Sequence, residues 1–438
     1  MYANEPTEMH IHPVESPEEG KPAKNLTAKI TTYLRWVGSI LIVLSAISFM
    51  LQGHAGISPT YRYWIGLGLT LLLCGGGLIC AYLFHETKGA RIFFGLGTGF
   101  LSVQVSQVSS MIYAGLFKQH ALQPEYDWLQ FTGVSPTVIA LDLVITGLLL
   151  FLVSYASYSI LARKYLKTLL TAAIVGSVLL MLPIRDADLV PIIIAGLFIY
   201  LRRVEQTLHT DNSMRLKEGM AARVLISLPL WIMVGRSLLH QTSYILTIVV
   251  AAMVAVYCIY DIKRYTQSAF IIYVLQWVGT LAAVGIWASV LAEFGVSIHH
   301  LNALLPITMI LFVLSSQVTY HAHLYRIISA LLTLAITFNA MSGDQAMAPI
   351  ATIAAGILLT VAGFKYREKT SFFIGNICVV GGFLFYWEYA VRMYSNAPWI
   401  SSIVLGLVVI LFASYIENRD KQIMAKSRYY FKELKNWN

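Results

Sequence analysis

The chain has 438 residues, of which 57% are hydrophobic and only 12% are charged. Charged residues make up about a quarter of an ordinary soluble domain, so the composition excludes a soluble protein of two or three domains. The formal net charge is +9, but the basic residues are dispersed through short polar turns. They form no single basic patch, and we therefore expect no nucleic acid among the partners.

Apolar runs of about 18 to 25 residues alternate with short polar turns along most of the chain. A helix of that length crosses the roughly 30 Å of hydrocarbon in a bilayer. The sequence therefore predicts an all-α fold, a polytopic membrane protein with about 14 transmembrane helices. For the two short, closely spaced runs 166–184 and 187–201, a re-entrant pair is the alternative. The predicted spans are 31–51, 63–84, 90–116, 135–161, 166–184, 187–201, 222–240, 243–260, 267–292, 301–320, 326–342, 345–364, 371–394 and 397–416.

Polar segments flank the predicted transmembrane domain, which covers residues 29–416. Segment 1–28 is polar and contains no apolar stretch of the signal-peptide type, so we predict a cytoplasmic tail. Segment 417–438 combines basic and aromatic residues. It is predicted to form a basic amphipathic helix on anionic lipid, and a helix that binds a membrane-protein partner is the alternative.

Lysine and arginine are distributed unequally between the two sides that these spans define. With the N-terminus inside, the cytoplasmic segments hold 26 of the 31 basic residues. The positive-inside rule therefore places both termini in the cytoplasm and predicts an even number of spans. The external side retains only Arg62, Lys118, Arg185, Arg236 and Arg392.

The cytoplasmic turns share a local pattern. Nearly every second span ends in tyrosine just before a basic turn, and the segments 75–100 and 359–383 resemble each other. This pattern predicts tandem helical hairpins of roughly 50 to 60 residues. The alternative is that the tyrosines belong to the aromatic belt of the membrane interface. The tyrosines concerned are Tyr82, Tyr158, Tyr200, Tyr260, Tyr325, Tyr366 and Tyr415.

Polar side chains within the predicted spans are the candidate functional residues. A charge at mid-depth in hydrocarbon costs at least about 2.5 to 3.5 kcal/mol. Asp142 is the strongest candidate, because it has no evident partner nearby in sequence and must find one on another helix. These side chains either line an outward-facing polar cavity or are interfacial and paired groups that serve packing. The predicted polar pathway comprises Gln104, Gln107, Asp142, Arg236, Gln276, Glu293, Glu388 and Arg392.

Signatures of catalysis, cofactor binding or metal binding are absent from the sequence. It contains no nucleophile elbow, no Walker loop and no His-Glu-x-x-His motif. Cys74, Cys80, Cys258 and Cys378 all lie in predicted spans without metal-ligand spacing. We therefore expect no catalytic residue, no metal and no cofactor, which favours a function other than enzymatic.

Two N-terminal segments carry a resemblance to a known type of protein. They are "TYLRWVGSILIVLSAISFMLQG" at 32–53 and "KGARIFFGLGTGFLSVQVSQVSSMIYAG" at 88–115. Both resemble uncharacterised multi-pass inner-membrane proteins of bacteria, of a domain-of-unknown-function type. The resemblance covers residues 1–120; it implies a bacterial cytoplasmic membrane and no known activity.

Three functions are compatible with these features. The first is a transporter or flippase that uses an outward-facing polar cavity, and prolines within spans favour it. The second is a non-catalytic structural or assembly subunit of a membrane complex, which binds membrane-protein partners through its lipid-facing helices. The third and least supported is a membrane-embedded enzyme that processes lipid or glycan, with Asp142 or Glu293 as the acid or base.

Overall fold

The computed structural model describes residues 21–51, 57–117, 130–240, 242–295, 300–341 and 348–396, together with Ile403 and Ile410. For some of these, including 388–396, only the backbone is described. The described chain is helical and contains no strand, which confirms the predicted all-α class.

Thirteen α-helices lie within the described residues, and each overlaps one of the first thirteen predicted spans. Helices α1 and α6 exceed their predicted spans by the largest margins, because α1 begins within the segment predicted as a tail and α6 continues into the polar turn after its apolar run. The last predicted span, 397–416, lies outside the described residues apart from Ile403 and Ile410. The helices are α1 (Lys21–Leu51), α2 (Pro59–Tyr82), α3 (Thr87–Phe117), α4 (Pro136–Ala162), α5 (Leu166–Met181), α6 (Leu189–His209), α7 (Lys217–Leu238), α8 (Tyr244–Val256), α9 (Ala269–Glu293), α10 (His300–Ser315), α11 (Ala322–Met341), α12 (Ala348–Tyr366) and α13 (Lys369–Asn396).

Eight helical stretches of the described chain are long and apolar enough to cross a membrane. The chain is therefore a multi-pass helical membrane protein. The total of 14 spans and the orientation of the termini stay predictions. The eight stretches are Pro59–Tyr82, Thr87–Phe117, Pro136–Met181, Lys217–Leu238, Tyr244–Arg264, Ala269–Glu293, Ala322–Asn339 and Lys369–Trp387.

The helices divide into two compact units. The first unit comprises Met1–Pro183 with Ala221–Ile232, and the second comprises Ile184–Met220 with Met233–Asn438. Helix α7 thus contributes its middle to the first unit and its two ends to the second.

In the first unit, α5 folds back along α4. Ala162 leaves the helical conformation (φ −154°, ψ 64°) and separates the two helices. Ser157 Oγ near the end of α4 donates to Phe94 O near the start of α3 at 3.3 Å. Ser109 Oγ, further along α3, donates to Leu182 O just beyond α5 at 3.1 Å. Helix α5 therefore runs alongside α3 from the level of Phe94 to the level of Ser109. This favours a helix that crosses the membrane over a re-entrant segment.

In the second unit, α8 to α11 share an apolar cluster. Trp277 of α9 stacks on the ring of Tyr325 of α11, with the ring centroids 4.6 Å apart. Helix α8 ends in a π-helical turn, Tyr257–Asp261, followed by a 3-10 turn, Ile262–Arg264. The cluster consists of Ala255, Ile259, Leu311, Leu314, Val318 and Tyr325.

Two helical hairpins, α2–α3 in the first unit and α12–α13 in the second, turn in the same way. His85 (φ 49°) and Arg367 (φ 57°) adopt the left-handed conformation, and in each turn a glutamate follows directly. Glu86 accepts a hydrogen bond from Arg35 of α1. Glu368 accepts one from Arg326 Nε of α11 at 2.7 Å. In both hairpins an arginine of the preceding helix thus fixes the turn, at segments whose sequences resemble each other.

Small residues let the helices of the second hairpin approach closely. A Cβ on Gly375 of α13 would lie 2.6 Å from the Thr360 backbone nitrogen of α12. A Cβ on Gly356 would lie 2.9 Å from Gly375 O. Membrane helices associate through close backbone packing of this kind, because the hydrophobic effect does not favour helix contacts over lipid contacts.

We predict that Gly375→Ala destabilises the protein by roughly 1 to 3 kcal/mol, because the added methyl group forces the α12 and α13 backbones apart. Gly285→Ala in α9 is the matched control, since a Cβ there meets nothing within 4 Å. That control should be neutral or gain up to about 1 kcal/mol from helix propensity. Size-exclusion profiles after heating in detergent measure both variants. Equal melting of Gly375→Ala and wild type would contradict the close packing.

Candidate functional site

Helix α4 turns its polar side chains inward and its apolar side chains outward. Asp142, Thr146, Ser154 and Tyr158 are buried and recur at intervals of four or eight residues, which places them on one face. A soluble helix has the reverse arrangement, and this one therefore suits a hydrocarbon environment. The outward face carries the exposed side chains of Leu141, Val144, Leu148, Phe151 and Leu152.

Asp142 lies in the buried face without a partner for its carboxyl group. The residue is 0% exposed, and neither carboxylate oxygen has a hydrogen-bond partner within the described chain. Tyr63 of α2 holds the backbone beside it. The Tyr63 hydroxyl donates to the Asp142 carbonyl oxygen at 3.1 Å and is hydrogen bonded to the Thr146 hydroxyl at 2.7 Å. The Tyr63 ring also packs in an apolar cluster with Leu67, Val108, Met111 and Phe131.

Gln104 of α3 is a second buried polar side chain without a partner. It is 0% exposed, and neither atom of its amide group forms a hydrogen bond within the described residues. Gly66 of α2 makes room for it, since a Cβ there would lie 2.1 Å from Gln104 Nε2. Gly66 follows Tyr63 by three residues, so the two lie on the same face of α2. On this face Gly66 lies against Gln104, and Tyr63 contacts the backbone at Asp142. Gln107, one turn further along α3, is also buried.

Tyr158 is a member of this face that the sequence analysis assigned elsewhere. It is 0% exposed, and its hydroxyl has no hydrogen-bond partner within the described residues. The interfacial belt explains Tyr82, which is 77% exposed, but it does not explain Tyr158 or the buried Tyr325. The four-residue spacing from Asp142 through Thr146 and Ser154 was the signal that could have identified Tyr158.

The second unit contains the other predicted pathway residues whose side chains are described. Gln276 of α9 is buried, and its Nε2 donates to Thr319 Oγ1 at 3.3 Å. Arg236, in the last turn of α7, is also buried. Glu293 is exposed at the end of α9.

Glu388 and Arg392 lie in the last part of α13, residues 388–396, where only the backbone is described. The ion pair that their four-residue spacing predicts falls on side chains outside the described residues. Of the eight predicted residues, the structure thus brings Gln104, Gln107 and Asp142 into the interior of one unit.

Buried ion pairs at helix ends were missed by the sequence analysis. Asp261, 2% exposed in the π-helical turn, accepts from Arg202 Nε at 2.9 Å and lies 3.1 Å from Arg264 Nη1. Arg264 Nη1 also lies 3.1 Å from Glu205 Oε2. The basic residues had been counted only for membrane orientation. The acidic residues in the same turns could have indicated ion pairs. Their partners, however, lie 59 residues away in sequence and can be identified only from the folded structure.

A buried carboxyl group and a buried amide that have no hydrogen-bond partner among the described residues can bind a group that the protein does not supply. Each buried polar group left unsatisfied costs about 1 to 3 kcal/mol, and a charged one costs more. A proton, a cation, water or a polar solute would relieve that cost. The described residues contain no cluster of three His, Cys, Asp or Glu side chains that could hold a metal ion.

These features define a multi-pass helical membrane protein with buried polar residues inside its first unit. In comparisons with known proteins, no family model, no curated protein and no solved structure matches the chain. The resemblance of residues 1–120 to bacterial inner-membrane proteins therefore stays a prediction.

We predict opposite effects for two neighbouring substitutions on α4. Asp142→Leu should raise the melting temperature, because it removes a buried carboxyl group that has no hydrogen-bond partner in the described part of the chain. Thr146→Val should lower the stability by about 1 kcal/mol, because it removes the hydrogen bond to Tyr63 while keeping the side-chain volume. Thermal melting of the purified proteins in detergent measures both effects. A destabilised Asp142→Leu would show that the carboxyl group has a structural partner.

Proposed function

We propose that the chain is a transporter or flippase whose polar path through the membrane passes Asp142, Gln104 and Gln107. The observation that carries the proposal is the Asp142 carboxyl group, fully buried and without a hydrogen-bond partner in the described chain. An apolar residue at this position would satisfy packing without the cost of burying a carboxyl group. Ionisable residues inside membrane domains mark paths for protons, ions and solutes.

The proposed topology has 14 spans, paired into tandem hairpins, with both termini in the cytoplasm. The bias of 26 basic residues among 31 and the shared turn geometry at Glu86 and Glu368 support it. In this topology α4 starts at the external side. Asp142 lies six residues after Pro136, which is about 9 Å along the helix, so the path would open outward.

Helices interrupted by proline give the transport proposal further support. Pro229 lies within α7 and Pro306 within α10. Proline removes one backbone hydrogen bond and frees a carbonyl group, and discontinuous helices of this kind form the substrate and ion sites of many transporters.

The proposal includes a location in the bacterial cytoplasmic membrane. The resemblance of residues 1–120 supports this location, and the positive-inside distribution agrees with it. The predicted basic tail, 417–438, lies outside the described residues. Its composition supports contact with the anionic lipids of the cytoplasmic leaflet.

The alternative is a structural or assembly subunit, and one observation favours it. Helix α1 exposes large apolar side chains around most of its circumference, as a helix does that contacts lipid or another membrane protein. These side chains are Ile30, Tyr33, Leu34, Trp36, Val37, Ile40, Leu41, Val43 and Leu44.

A polar path exposes its side chains to water, whereas polar side chains that serve only packing stay inaccessible to water. We predict that a cysteine at position 142 reacts with a charged, membrane-impermeant methanethiosulfonate reagent added outside the cell. The background variant lacks all four native cysteines. Asp142→Cys should react about tenfold faster than a lipid-facing cysteine, because the thiolate forms only in contact with water.

The matched control is Leu148→Cys on the same helix, where the side chain is 58% exposed on the outward face. Gln104→Cys provides a second interior position if Asp142→Cys does not fold. Interior cysteines that react as slowly as the control would exclude a hydrated path and leave the structural subunit as the better explanation.

A further inference from the structure

Exposed basic side chains gather at one end of the first unit. Arg163, Lys164 and Lys167 lie in and beside the turn between α4 and α5, and Lys88 lies in the first turn of α3. We call these four residues the Arg163 patch. The turn itself has only three residues, Arg163–Tyr165, in a 3-10 conformation. Such a short turn keeps the charges close to the ends of the helices.

Contacts between α3 and α4 show that both parts of the patch lie at the same end. Ser157 Oγ of α4 donates to Phe94 O of α3 at 3.3 Å. Near the other ends of the helices, a Cβ on Gly115 of α3 would lie 3.0 Å from Ile139 Cδ1 of α4, so the two helices are antiparallel. The α4–α5 turn and the lysine of α3 each begin six residues, or about 9 Å, beyond the first contact in the same direction.

The separation of the two parts is small enough for their charges to act together. Packed helices lie about 8 to 10 Å apart, and the screening length at physiological salt is about 8 Å. An anion at this end of the unit is therefore attracted by the start of α3 and by the α4–α5 turn at once.

Three members of the patch have side chains that are open to a ligand. Lys88, Arg163 and Lys167 are exposed, and their side chains form no hydrogen bond or ion pair within the described residues. Lys164 differs, since its ammonium group lies 5.4 Å from the ring centroid of Tyr165. The guanidinium fork of arginine matches two phosphate oxygens, and lysine adds a compact charge.

Other turns of the protein pair their basic residues with acidic ones. Glu86 is the one acidic residue of the α2–α3 and α4–α5 turns, and it accepts a hydrogen bond from Arg35 of α1. At the α12–α13 turn of the second unit, Glu368 lies 2.6 Å from Arg326 Nη2. The charge of the Arg163 patch is thus not balanced by an acidic residue of the same turns.

Exposed apolar side chains flank the patch on both helices. Tyr82, Leu83 and Phe84, which end α2 just before Lys88, are 77%, 71% and 66% exposed. Tyr155 of α4 is 49% exposed and lies about 12 Å before the α4–α5 turn. Side chains of this kind contact lipid, so the patch lies at the level where hydrocarbon gives way to headgroups.

We propose that the Arg163 patch binds the headgroup of an anionic phospholipid. Its charge is complementary to the phosphate group, and its position beside lipid-facing side chains selects a headgroup over a soluble anion. Each basic residue near an anionic membrane surface strengthens binding about fivefold. The site is separate from the path at Asp142, which lies about 30 Å before Arg163 along α4.

The test compares two double variants of the full-length protein that lose the same charge. Arg163→Gln/Lys167→Gln alters the patch. The matched control is Arg203→Gln/Lys217→Gln, at exposed basic residues of the second unit. Melting in a neutral detergent is measured against phosphatidylglycerol, phosphatidylcholine and inorganic phosphate. Phosphatidylglycerol should stabilise wild type and the control saturably, and the patch variant should need at least about tenfold more of it.

The other outcomes contradict the proposal. Equal responses of wild type and both double variants would show that the patch does not bind the lipid. Equal stabilisation by phosphatidylcholine would exclude recognition of charge, and equal stabilisation by inorganic phosphate would assign a free anion instead of a headgroup. If the patch variant does not fold, Arg163→Gln alone should need about fivefold more phosphatidylglycerol than wild type, and an unchanged requirement would overturn the proposal.

Discussion

Hydrocarbon offers no hydrogen bonds to a side chain, and this constraint decides which way each helix of the protein faces. Helix α4 shows it most clearly, with Leu148 and its neighbours outward and Asp142, Thr146 and Tyr158 inward. The inward groups must be satisfied by other helices. Tyr63 does so for Thr146 and for the backbone of Asp142, and it joins α2 to α4. The Asp142 carboxyl group has no hydrogen-bond partner among the residues that the structure describes, and the functional proposal rests on this group.

The helices are held together by contacts that do not rely on the hydrophobic effect. Gly375 and Gly356 bring the α12 and α13 backbones into contact, and Gly66 admits the Gln104 side chain between α2 and α3. At the helix ends, charges are paired across the fold. The pair between Arg326 and Glu368 and the group around Asp261 use basic residues of the predicted cytoplasmic side. The same arginines can therefore set membrane orientation and lock the turns.

Much of the helix pattern was predictable, because the length of an apolar run is fixed by bilayer thickness and needs no tertiary information. The burial of Asp142 was predictable for a similar reason, since a carboxyl group without a local partner has to face the protein interior. Tyr158 was not identified as a buried residue, because a tyrosine near a basic turn has the same local sequence whether it faces lipid or protein. Pairing of Arg202 with Asp261, and the placement of Gln276 and Arg236 in the second unit, depend on helix packing, which hydropathy does not encode.

Water beside Asp142 is the central claim, and X-ray radiolysis footprinting of the unmodified protein tests it most directly. Hydroxyl radicals oxidise side chains that lie next to water, and two tyrosines form a matched pair. Tyr63 and Tyr325 are 0% and 1% exposed, and each hydroxyl is hydrogen bonded to a threonine, Thr146 or Thr280. Both rings also pack in apolar clusters, and only the Tyr63 hydroxyl lies beside the backbone of Asp142. The account therefore predicts that Tyr63 is oxidised several times faster than Tyr325. Equally slow oxidation of both tyrosines would contradict it.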